Sequence, residues 1–171
     1  MPRRGKGLLP MSVASTTYAP GMARVLLTGM SGAGKSTLLA AVAGRGYPTV
    51  DTDYGGWELP GALWDEPRMN ALLAEHTTIA VSGTAQNQGR FYDRFEHVIY
   101  LRVPLEVLLD RVGARTNNPY GKAAHQQAEI TRYVAEVEPL IRRTATLELD
   151  GLLPIPALAD RVEQCLAPPD A

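Results

Sequence analysis

The sequence predicts a three-layer α/β domain built on a parallel sheet, and two observations predict it. Short apolar runs ending in turn residues recur along the chain, with helical stretches between them. The first of these runs also ends in a glycine-rich turn that opens directly into a helix, as a buried parallel strand does. At 171 residues the chain is long enough for one domain with a full core.

The elements follow in order. Residues 24–28 (RVLLT) read as a first buried strand. Residues 36–43 (STLLAAVA) form helix readily, and Gly44 and Gly46 stop it. Residues 47–51 (YPTVD) read as a second strand, with Pro48 confined to its beginning or to an edge. Residues 66–75 have a helical period, with Pro67 in the first turn. Strands follow at 77–81 (TTIAV) and 97–101 (HVIYL), then a helix at 104–115 that starts on a proline and ends on an arginine. After the turn-rich segment 116–122 (TNNPYGK) a long helix over 126–143 breaks or kinks near Pro139. A fifth strand at 145–149 and a closing helix at 155–166 complete the expected domain, 22–171. Residues 1–21 carry Pro2, Pro10 and Pro20 and show no period, so they are expected to be a disordered, dispensable tail.

Composition narrows the function classes. The hydrophobic share of 45% and charged share of 20% are those of a globular protein, and the net charge of −1 gives no bulk field toward nucleic acid or anionic membrane. Cys165 is the only cysteine, which rules out an intrachain disulfide and reads as a small apolar filler. No run approaches the roughly 18 apolar residues of a membrane span, and the first residues lack the apolar core of a signal peptide. A cytoplasmic protein is the expectation. His76, His97 and His125 are scattered, without metal-ligand spacing.

The chemistry begins at GMSGAGKST, residues 29–37. Gly29-x-x-x-x-Gly34-Lys35-Ser36 matches the phosphate-binding P-loop at every fixed position, with a strand before it and a helix after it. Glycines let backbone N–H groups turn inward around a β-phosphate, and the helix N-terminus adds its positive end. Gly29, Ser31, Gly32, Ala33, Gly34, Lys35, Ser36 and Thr37 are therefore the expected nucleotide cradle. Lys35 reaches the β- and γ-phosphates and Ser36 ligates Mg²⁺. This loop serves switches, motors and kinases alike. A guanine-reading Asn-Lys-x-Asp is absent, and the D-x-x-G at Asp53–Gly56 follows the loop too closely to be a switch segment. The third strand ends Val81-Ser82-Gly83 without the acidic residue of a motor ATPase. Small-molecule kinases remain.

The run LTGMSGAGKSTLLAAVAGRGYPTVDTD resembles the start of shikimate kinase, gluconate kinase and dephospho-coenzyme A kinase, of the nucleoside-monophosphate-kinase-like group. The likeness covers about residues 24–166 in layout. It implies a five-stranded parallel sheet in the order 2-3-1-4-5 with a small helical lid over about 115–126, and an activity that moves the γ-phosphate of ATP, with Mg²⁺, to a small metabolite or nucleotide. In this group the second strand ends in an acidic pair, here Asp51 and Asp53. Residues two apart on a strand share a side, so both carboxylates would flank the γ-phosphate. The resemblance gives Asp51 to Mg²⁺ through water, and Asp53 to the acceptor hydroxyl and its proton. A turn-capping Asp51 and a solvated Asp53 are the structural alternative.

The resemblance also implies acceptor-binding roles for Gly83 and Arg90, with Asn87 and Gln88 as polar readers; a surface turn is the equal alternative. Arg111 and Arg115 lie on one helix face and lead into the lid position, where with Lys122 they would neutralise the transferring phosphoryl group. Arg111 has a surface ion pair with Asp110 or Glu106 as its alternative. One of Arg142 and Arg143 would approach the base, unless that segment is a plain helix end.

The chain departs from the family where shikimate kinase carries arginines that clamp the substrate carboxylate: residues 57–68 hold a single cation, Arg68. It also lacks the family's glycine run after the third strand. Trp57 and Trp64 either shape an aromatic acceptor pocket or fill the core. The acceptor stays open. The competing readings are a regulatory ATP-binding protein without a second substrate and a slow NTPase acting on a nucleic-acid end.

Overall fold

The computed structural model describes residues 22–167; the expected tail over 1–21 lies outside them. Five parallel strands, β1 (Arg24–Thr28), β2 (Thr49–Asp51), β5 (Ile79–Ser82), β6 (His97–Arg102) and β7 (Leu147–Asp150), form one sheet in the order β2-β5-β1-β6-β7. Counted among themselves along the chain, these strands stand 2-3-1-4-5, as the resemblance implied. The labels shift because β3 (Glu58–Leu59) and β4 (Leu63–Trp64) form a separate antiparallel hairpin. Strands of two residues are too short to show a period, so no sequence pattern marks them. Their turn uses positive φ at Gly61 (+89°) and Ala62 (+55°).

Six α-helices connect and cover the sheet: α1 (Lys35–Gly44), α2 (Glu66–Glu75), α3 (Leu105–Ala114), α4 (Ala124–Glu136), α5 (Glu138–Thr144) and α6 (Ile155–Leu166). The Asp65 side chain caps α2 by accepting from the Arg68 N–H at 3.1 Å. The expected long helix over 126–143 is two helices meeting at Val137. Pro139 lacks an N–H and sits in the first turn of α5, where that donor is not needed.

Side chains of β1 alternate between two cores. Val25 and Leu27 pack with Leu38 and Val42 of α1 and Leu158 and Val162 of α6. Leu26 packs on the other face with Val81, Val98, Met69 and Leu73 of α2, and Phe91. Burial of each large apolar side chain stabilises the fold by roughly 1.5–3 kcal/mol. Trp57 and Trp64 belong to the second core, so the core-filling reading of the tryptophans holds. Trp64 donates from Nε1 to Thr52 Oγ1 at 3.0 Å, which donates to the Ser82 carbonyl at 2.9 Å. Phe91 is buried in a 3-10 helix, Gln88–Arg94, in the segment for which acceptor binding and a surface turn were the two readings.

Candidate active site

The loop between β1 and α1 is shaped by two close approaches. A Cβ on Gly29 would stand 2.9 Å from the Leu101 carbonyl oxygen. One on Gly32, whose φ is +85°, would stand 2.9 Å from Val112 Cγ1 and 3.0 Å from the Leu108 carbonyl oxygen. The loop is thus pressed against β6 and α3 along a path open only to glycine. Gly34 caps α1 in the left-handed region and brings no side chain to its first turn. The free N–H groups of that turn remain available to an anion, which is the fit expected of a phosphate cradle.

Lys35 is buried within the loop, its Nζ donating to the carbonyls of Gly29 at 2.8 Å and Met30 at 3.1 Å. Burial pushes its pKa below the ordinary lysine value; Asp53 and Asp51 pull it back up, and Arg115 pushes it down. Ser36 Oγ donates to Asp51 Oδ2 at 2.6 Å, which brings together the two residues expected to serve Mg²⁺. Among the described residues no group of three or more His, Cys, Asp or Glu gathers to hold a metal. A hydroxyl and one carboxylate suit a hard cation that keeps most of its water and takes phosphate oxygens, as Mg²⁺ does.

Asp53 reaches the site by another route than strand alternation. β2 ends at Asp51, and the chain turns so that the Asp53 N–H donates to Asp51 Oδ1 at 3.1 Å. From that turn Asp53 stands on the walls of two cavities. The first, about 670 Å³, runs along the P-loop and ends among Leu101, Leu153, Pro154, Ile155 and Leu158, an apolar end suited to a nucleobase. The second, about 570 Å³, opens beside Thr84, Gln86, Glu58, Tyr120 and Glu129. Ser31, Lys35, Asp53 and Asn118 line both.

The two arginines of α3 turn toward the loop, not toward Asp110 or Glu106. Arg111 donates from Nη1 to the Gly32 and Ala33 carbonyls, both at 3.3 Å, and from Nη2 to the Gly151 carbonyl at 3.4 Å. Arg115 donates from Nη2 to Ser31 Oγ at 3.3 Å and to the Tyr120 carbonyl at 2.9 Å, while its buried Nε has no partner. Both line the larger cavity. Tyr120 donates to Glu129 Oε2 at 2.8 Å; burial first, then that carboxylate, pushes the phenol up to about 12.

Other expected site residues lie elsewhere. Arg90 is 71% exposed, pairs with Glu66 at 2.6 Å and lines neither cavity; the nearby carboxylate holds it on the surface. Lys122 is exposed and lines neither cavity. Gly83 is buried beneath Thr52 and Trp64, where a Cβ would strike Thr52 Oγ1, so it serves packing. Asn87 and Gln88 are buried scaffold. Asn87 exchanges hydrogen bonds with the Trp64 backbone at 2.9 and 3.0 Å, and Gln88 Oε1 accepts from the Ala85 N–H at 2.9 Å. Arg142 pairs with Glu148 and Glu138, the plain helix-end reading. Gln86, Glu58, Asn118, Tyr120 and Glu129 were not singled out from the sequence, where each stands in an ordinary polar context.

Comparison with known proteins agrees with this geometry. No family model matches the chain. The shikimate kinase of Neisseria meningitidis serogroup C is 25% identical over 154 residues, covering 75% of this chain and 87% of that protein. A shikimate kinase from Acinetobacter baumannii, solved in complex with shikimate, superposes with a TM-score of 0.63 at 21% identity, over 84% of this chain and 92% of that one. A gluconokinase from Sinorhizobium meliloti superposes with a TM-score of 0.56 at 18% identity, over 86% and 93%. The resemblance read from the motifs therefore holds: the chain has the fold of P-loop small-molecule kinases. Among the described residues no helix is long and apolar enough to cross a membrane.

Proposed function

We propose that the protein is an ATP-dependent phosphotransferase that moves the γ-phosphoryl group, with Mg²⁺, to a hydroxyl of a small molecule. The observation that carries this reading is the meeting of two cavities, about 670 and 570 Å³, at Lys35 and Asp53. A donor in the first and an acceptor in the second would face each other across those two side chains. The kinase names of its relatives support the same reading.

ATP would supply the phosphoryl group and Mg²⁺ would offset its charge; the protein supplies position and charge. The loop and the first turn of α1 hold the phosphates. Lys35, with its third donor directed beyond the two carbonyls it already serves, offsets charge on the transferring group. Arg115 adds a second cation from the lid side, and Arg111 stiffens the loop through its carbonyls. Ser36 and Asp51 hold the metal. Asp53 accepts the proton of the attacking hydroxyl as its oxygen bonds to phosphorus and the bond to the bridging oxygen of ADP breaks.

A regulatory ATP-binding protein would need a filled or apolar second pocket beside Asp53, and a nuclease-like NTPase would need a basic one. The second cavity is open, not filled, and its walls mix Asp53, Glu58, Gln86 and Glu129 with Met30, Ala62, Ile130 and Val137; the open space and its polar groups favour transfer. The deciding experiment follows label from γ-labelled ATP into products across a metabolite panel. Transfer is expected with the parent protein and lost with Lys35→Ala; transfer that survives the substitution sinks the reading.

A further inference from the structure

The charge of the second cavity points to the class of acceptor, an inference that rests on the transferase reading above. Its position beside the γ-phosphate site is fixed by the four residues it shares with the donor cavity. Its walls beyond the loop carry three carboxylates, on Asp53, Glu58 and Glu129. Among the described residues none of the three is paired with an arginine, lysine or histidine. The single cation on its walls is Lys35, held by the Gly29 and Met30 carbonyls at the phosphate end.

The cations that a carboxylate-bearing acceptor would require are engaged elsewhere. Arg68 lies 3.8 Å over the Trp57 ring and donates to the Gly55 and Gly56 carbonyls at 2.9 and 3.1 Å. Arg90 is tied to Glu66, and Arg115 to Ser31 and Tyr120. An acid entering this cavity would bring a fourth carboxylate among three and meet the repulsion of like charges. A cation would instead find three acceptor groups and the aromatic carbon of Tyr120; Tyr133 also lines the cavity, with Arg132 5.5 Å over its ring.

We propose that the acceptor is a hydroxylated amine, such as an amino sugar, aminocyclitol or amino alcohol, whose ammonium group sits against Glu58 and Glu129 while its hydroxyl meets Asp53. The reaction joins the hydroxyl oxygen to the γ-phosphorus, releases ADP and leaves the amine unmodified.

The test uses the full chain, ATP and Mg²⁺, and three sets of acceptors matched in size: hydroxylated amines, neutral polyols, and hydroxy acids including shikimate and gluconate. The expected result is turnover strongest with the amines. Glu58→Gln and Glu129→Gln should each raise KM for the amine about tenfold, with KM for a neutral polyol little changed. Glu129→Gln keeps an acceptor for Tyr120, and a melting curve identifies any variant that fails to fold. Best turnover with hydroxy acids, or equal use of amines and polyols with no effect of the two substitutions, overturns the acceptor class and leaves the transferase reading standing. No transfer to any set, with ATP still bound, overturns both.

Discussion

The proposed donor and acceptor halves of this site are built in opposite ways. The donor cradle is backbone: nine consecutive residues, 29–37, wrapped by close contacts to β6 and α3 that leave no room for a Cβ at Gly29 or Gly32. The acceptor cavity is side chain: its walls come from the turn after β2, the β3–β4 hairpin, the segment after β5, the lid loop and α4. A backbone cradle fixes what every member of a fold can bind. A side-chain cavity is free to vary in charge, and here its walls carry Asp53, Glu58 and Glu129.

The comparison can be broken most strongly at the point the halves share. Lys35→Met should lower kcat on the order of 10³-fold, the scale of removing a charge-stabilising group from a phosphoryl-transfer site. The same substitution should reveal a pH effect. Burial lowers the folded-state pKa of Lys35, so between that pKa and the ordinary 10.5 the unfolded chain binds more protons and stability rises with pH. Melting of the parent against Lys35→Met should therefore show the parent gaining as pH rises above the lowered folded-state value toward 10.5. A parallel pair of curves would contradict it.

Asp53→Asn comes next. It should cost about 10²-fold or more in kcat, with ATP affinity by calorimetry nearly unchanged; equal losses in both would place Asp53 with the donor alone. Gly32→Ala attacks only the cradle. Forcing a side chain onto a φ of +85° against Val112 and Leu108 should weaken nucleotide binding roughly tenfold and leave the order of acceptor preference intact. Arg90→Ala should change kcat/KM less than about twofold, since an exposed pair with Glu66 contributes little; a larger loss would return Arg90 to the acceptor site.

The donor half was legible because its determinants are local. Spacing of glycines, Lys35 and Ser36 within one turn marks the phosphate loop, the alternation of strands and helices marks the layered fold, and the family resemblance implied the sheet order. The acceptor half was not, because Glu58, Gln86 and Glu129 come from separate segments and nothing local marks them. Where the sequence named acceptor residues, tertiary competition decided otherwise. Glu66 captured Arg90, the Trp64 backbone captured Asn87, and Thr52 and Trp64 closed over Gly83. Asp53 lines both cavities by way of a turn following β2, not by strand alternation. The hairpin escaped notice because two residues cannot display a period.

Four wall residues belong to both cavities, so a donor in one and an acceptor in the other would stand side by side. A single compound joining adenosine to a hydroxylated amine through a short polyphosphate bridge would fill both spaces at once. Once one end binds, the other meets its cavity at an effective concentration set by the tether, in the millimolar range for short linkers, and its affinity exceeds that of either half alone. The shared wall makes this protein a natural target for bisubstrate inhibitors, and the bridge length that binds tightest would serve as a ruler for the gap between donor and acceptor.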